Sequence, residues 1–167
     1  MKKISLLLIA ISISSLLVGC NAEEFWSKPS EKNFGDRSSQ VQVVPISDEQ
    51  YKYLLIENLG PICQHTYDLN SQAIAIKNGR VDRSTEIPKI DSYLIDVQTV
   101  RDLLSDTVVN TTKKDSKQKL INALDSYSTQ LRDYQSLLKN STITKDELQS
   151  KIDLVINALE LVKQYNN

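Results

Sequence analysis

Between residues 47 and 167 the apolar side chains recur at steps of three and four, the spacing that keeps them on one face of an α-helix. The first stripe is Tyr51, Leu55, Leu59, Ile62, Thr66, Leu69, Ala73 and Ile76. Ser47 with Gln50 forms a capping box, and Ile46 with Tyr51 has the spacing of a hydrophobic staple, so the helix is expected to begin at Ser47. Gly60-Pro61 falls inside the stripe. Pro61 cannot donate to the carbonyl of Glu57, and its ring crowds that turn, but the step from Leu59 to Ile62 keeps the phase. A single helix kinked at Gly60-Pro61 is therefore expected, closed by Gly79 in a left-handed terminal position.

A second stripe runs Ile87, Ile90, Leu94, Val97, Arg101, Leu104 and Val108, with Val100 able to share the face at Arg101 and Pro88 expected in the first turn. A third follows the polar stretch Asn110 to Asp115 and runs Leu120, Leu124, Tyr127, Leu131, Tyr134 and Leu138. The fourth starts after Thr144, whose pairing with Glu147 makes another capping box, and runs Leu148, Ile152, Val155, Leu159 and Val162. Short polar connections leave these stripes only one another to pack against. The expected fold is all-α, an antiparallel up-down four-helix bundle over residues 47–167. Leu54, Ile74, Leu103, Ile121, Leu137 and Ile156 broaden the faces, which favours a four-helix core over the other architecture that suits this spacing, a two-helix seam shared with another chain.

The first 46 residues have a different pattern. Met1-Lys2-Lys3 precedes a 15-residue uncharged segment, Ile4 to Val18. A basic start followed by so short an apolar run is an export signal, since a spanning helix needs about 20 residues. Leu17-Val18-Gly19-Cys20 follows directly, and there the chain resembles the bacterial lipoproteins, matching their lipobox position by position. The resemblance covers the first 20 residues. It implies signal peptidase recognition of Leu17, Val18 and Gly19, cleavage after Gly19, and a diacylglycerol thioether on Cys20, which becomes the first mature residue. It also implies anchorage on the extracytoplasmic face of a membrane: the cell membrane of a one-membrane bacterium, or the outer membrane of a two-membrane one, because Asn21 rather than Asp follows the cysteine. Residues 20–46, with Pro29, Gly35 and Pro45 and no helical period, read as the lipidated N-terminus and a tether. As a coil the 26 residues after Cys20 would reach roughly 25 to 30 Å. Phe25 and Trp26 are placed either to rest at headgroup level or to pack on the domain.

Removing 19 of 167 residues leaves 148, enough for one domain and a tether. Removing the two leader lysines from 20 basic and 21 acidic side chains leaves 18 against 21, a formal charge of −3. That balance has no nucleic-acid footprint. With Cys20 carrying lipid, Cys63 has no partner within the chain, so packing must hold the domain together. The only histidine, His65, is two residues from Cys63, and positions i and i+2 do not face each other on a helix. No metal site, cofactor or nucleophile-base pair is implied; Cys63 reads as a buried thiol and His65 as a partly exposed ring.

Lys113, Lys114, Lys117 and Lys119 crowd the start of the third helix, where the helix dipole is already positive. In an up-down bundle that end also carries Ser47, so two readings stand: these lysines face anionic headgroups, or they form a solvated loop with Asp115 beside them. Most of the seven tyrosines are expected in or beside the core, with Tyr53, opposite the first stripe, on a partner surface. The functional expectation is a non-enzymatic, lipid-anchored binding or accessory module that presents a helical surface to an envelope protein or wall component. An immunity or exclusion lipoprotein belongs to the same class. The competing expectation is a ligand-binding or enzymatic lipoprotein with a pocket between helices near Gly60-Pro61 and Cys63.

Overall fold

The computed structural model describes residues 44–166. They form four helices: α1 (Asp48–Lys77), α2 (Arg83–Asp106), α3 (Thr111–Lys139) and α4 (Lys145–Lys163). The helices pack in a ring, α1 against α2, α2 against α3, α3 against α4 and α4 back against α1. Connections of four or five residues reverse the chain between neighbours, and the result is the expected four-helix bundle.

Several helix ends have a local physical cause. Ser47 Oγ accepts from the backbone N–H of Gln50 at 3.1 Å, and Gln50 Oε1 accepts from the N–H of Ser47 at 2.8 Å, completing the first capping box. Thr144 and Glu147 repeat the arrangement on α4. Gly79 adopts φ +67°; its N–H donates to Ile76 at 2.9 Å and that of Arg80 to Ala75 at 2.8 Å, the paired bonds of a Schellman stop. α1 runs unbroken through Gly60 and Pro61, with Leu59 and Ile62 both fully buried on either side. Pro61 and Glu57 are exposed, so the carbonyl that loses its helical donor lies on the solvent side.

Two helices start earlier than their patterns indicate. α2 begins at Arg83 because the carboxylate of Asp82 accepts from Ser84 N–H at 3.0 Å, which puts Pro88 in the second turn instead of the first. α3 begins at Thr111, so the polar stretch to Asp115 is its first turn and not a loop. Ile46 N–H donates to the carbonyl of Val108 at 2.9 Å and pairs with Val109 in a parallel bridge. The entry to α1 and the α2–α3 turn therefore share one end of the bundle, as expected.

The core is apolar and continuous through all four helices, from Leu59, Ile62, Leu69 and Ile76 to Ile90, Leu104, Leu124, Leu131, Ile152, Val155 and Leu159. Three placements differ from the sequence pattern. Ile74, expected to widen the inner face, is 60% exposed on the outside of α1. Val108 leaves the core and Val109 enters it, because α2 ends at Asp106 and the chain beyond it is extended, alternating its side chains. Tyr93 and Val100 are buried on α2, whereas Leu94 and Arg101 are only half-buried.

Candidate functional site

A polar constellation that runs from the interior to the surface centres on His65. Its Nδ1 lies 3.1 Å from the Tyr127 hydroxyl and its Nε2 3.1 Å from Asp96 Oδ2. The ring stacks on Tyr93 with centroids 3.9 Å apart, and the Tyr93 hydroxyl donates to Asp68 Oδ2 at 2.7 Å. The neutral ring satisfies both neighbours in one tautomer, with Nε2–H donating to Asp96 and Nδ1 accepting from Tyr127. Burial holds the imidazole below its ordinary range, although the hydrogen bond it donates to Asp96 pulls the other way. Burial likewise pushes the Tyr93 and Tyr127 hydroxyls above their ordinary range. His65 is thus buried rather than partly exposed, while Cys63 is only half-buried, the reverse of the sequence expectation. A 3-4 pattern finds apolar positions and passes over the position between Ile62 and Leu69 that this cluster fills.

A neutral buried histidine gives stability a definite pH dependence. In the unfolded chain His65 protonates below about pH 6.5, whereas the fold keeps it neutral to lower pH, so the unfolded state binds the extra proton. The contribution is whole above pH 6.5 and declines as pH falls from there toward the folded value. Urea midpoints measured from pH 7.5 to 5 are expected to fall across that window. His65→Phe, which cannot take up the proton, should flatten that part of the profile.

The four lysines divide. Lys117 Nζ donates to the carbonyls of Leu104 at 3.0 Å and Thr107 at 2.9 Å, supplying the basic group that the last turn of α2 lacks. Lys113 lies 3.7 Å from Asp48 Oδ2 at the start of α1. Lys114 and Lys119 are exposed, and at 100° per residue Lys119 lies on the other side of α3 from the rest. One end of the bundle holds all four, but no single face does.

Clefts on the described surface include three of different size. One of about 10 Å³ lies between Gln72, Glu86 and Tyr134 and has room for one water-sized group. An open groove of about 410 Å³ follows α2 and α3 beside Asp91, Leu94, Ile95 and Arg132, and another of about 260 Å³ lies beside Leu137, Ile143 and Leu154. None of these three is lined by Gly60, Pro61 or Cys63. Gly60 lies against open space, where an added Cβ would meet no atom within 4 Å. Among the described residues no three His, Cys, Asp or Glu side chains are placed to hold a metal ion, and no helix is long and apolar enough to cross a membrane.

Among the described residues, four large exposed apolar side chains lie on the outside of α1. Tyr53, Ile56, Tyr67 and Ile74 are 64, 44, 80 and 60% exposed, and Gly60 and half-buried Cys63 lie between them. These six positions follow one another at steps of three, four, three, four and seven, so they form a second stripe about 150° around the helix from the core stripe. Tyr53, expected on a partner surface, is its first member. The rest were legible in the same spacing but are hidden by the stronger inner stripe. Leu17, Val18, Gly19 and Cys20, and with them Phe25 and Trp26, lie outside the described residues. Comparison with protein families, curated proteins and solved structures finds no match to this chain.

Proposed function

We propose that this protein is a non-enzymatic lipoprotein, anchored through Cys20 on the extracytoplasmic side of a membrane, whose bundle presents the outer face of α1 as a binding surface. The observation that carries the reading is the second apolar stripe. Solvent-facing tyrosine and isoleucine in register on one helix are what helix-in-groove recognition uses as anchors, and aromatic anchors dominate such interfaces. The continuous apolar core and the burial of the His65 ring favour a surface role over a pocket between helices. In this reading Lys113, Lys114 and Lys119 bias the end that carries Ser47 toward anionic headgroups, while Lys117 serves the α2 cap. The immunity or exclusion role remains a special case of the same surface activity.

The test is a photo-crosslinking amino acid at position 67 of the full-length protein in its own cells, with position 136, exposed on α3, as control. A discrete adduct from position 67 and none from 136 is the expected result. Equal adducts from both positions, or none from 67, would remove the proposal.

A further inference from the structure

The outer stripe of α1 is also a heptad seam. With Tyr53 in the first core position, Tyr53, Gly60, Tyr67 and Ile74 occupy the a positions and Ile56, Cys63 and Asn70 the d positions. We infer that its occupant is a second copy of this chain, docked α1 against α1 in a parallel, twofold arrangement. The inference rests on the binding-surface reading above and deepens it by naming the partner.

Charge complementarity selects the orientation. Lys52 flanks the seam at the g position on the side toward α4, and Glu57 at the e position on the side toward α2, both exposed. A parallel twofold pair brings each g residue against the e residue five positions on in the other copy, so Lys52 meets Glu57 twice. An antiparallel pair would instead set e against e and g against g, so Lys52 and Glu57 would no longer meet. Both copies enter α1 from their lipidated ends, so a common membrane favours the same orientation.

The middle of the seam fits close approach. Gly60 in mid-helix weakens α1 relative to alanine, yet nothing inside the chain occupies the space where a side chain would stand. Inside the chain the glycine eases the clash that Pro61 imposes on the residue before it, and on the outer face it leaves room for two helix backbones to approach. Asn70, exposed in the single bundle, is the one amide at a d position within the seam, where it can pair with its counterpart in the other copy. Ile56 and Ile74, which carry no function in the isolated chain, become core residues of the pair.

The experiment treats membranes bearing the full-length protein with a short bismaleimide, which adds one thiol across each ring double bond and releases nothing. The expected product is a species of twice the chain mass in which peptide mapping joins Cys63 to Cys63, absent from Cys63→Ser. Tyr67→Lys, at a position 80% exposed in the single bundle, is expected to cut the yield at least tenfold with an unchanged thermal midpoint. Lys52→Glu and Glu57→Lys should each cut it several-fold, and the double variant should restore it. No Cys63-to-Cys63 product, a yield indifferent to Tyr67→Lys, or a double variant poorer than both singles would overturn the inference. A position-67 photo-adduct to a different protein, with no Cys63 dimer, sinks the dimer alone and leaves the binding-surface reading standing. No adduct of either kind sinks both.

Discussion

Tyr127→Ala is expected to destabilise the bundle by about 3–5 kcal/mol, whereas Tyr67→Ala changes stability by less than about 0.5 kcal/mol. The two residues are chemically identical and differ only in placement. Tyr127 is 0% exposed at the centre of α3, where its ring fills space between helices and its hydroxyl satisfies His65 Nδ1. Truncation removes the ring's burial, leaves a cavity that the helices close only in part, and orphans a buried acceptor. Tyr67 is 80% exposed and loses little that water does not replace. Urea denaturation of both variants measures the difference. Tyr127→Phe separates the two parts of the larger effect: it keeps the ring and loses only the hydrogen bond, so its cost should be about 1–3 kcal/mol. A Tyr127→Ala effect as small as that of Tyr67→Ala would mean the bundle is not packed as described.

Cys20→Ser is expected to abolish labelling by radioactive palmitate and to block cleavage after Gly19. Among the described residues no helix can cross a membrane, so under the proposed function retention of the mature domain falls to lipid. Each buried methylene contributes about 0.8 kcal/mol, and one chain alone binds only reversibly, so stable retention needs the two acyl chains of a diacylglycerol thioether. Equal labelling of wild type and Cys20→Ser would place the lipid elsewhere or remove it from the account. Loss of label with normal cleavage would separate the lipid from processing.

The sequence made the architecture readable because its strongest signals are local. Ser47 with Gln50, Thr144 with Glu147, and Gly79 mark three helix ends through contacts within a few residues, and the structure contains all three. Where the pattern misplaces an end, the deciding contact is small. The Asp82 carboxylate starts α2 one turn before the apolar stripe, and charged residues at the start of α3 look like a loop when only hydrophobic spacing is weighed. The interior polar cluster was not legible. His65, Asp96 and Tyr127 lie 31 and 62 positions apart, and nothing in a single sequence says that helices α1, α2 and α3 bring them together. Lys117 is a similar case: its role is set by carbonyls 10 and 13 residues away across a turn. The outer α1 stripe stands between these extremes, since Tyr53 signalled it while Ile74 was assigned to the wrong side.

Anchorage and surface presentation stand together on what Cys20 carries. The most direct measurement is the intact mass of the protein extracted from its native membranes. The account predicts a chain beginning at Cys20 with the added mass of a diacylglycerol thioether. A lipid-free product, or the full 18.9 kDa chain still beginning at Met1, would contradict it.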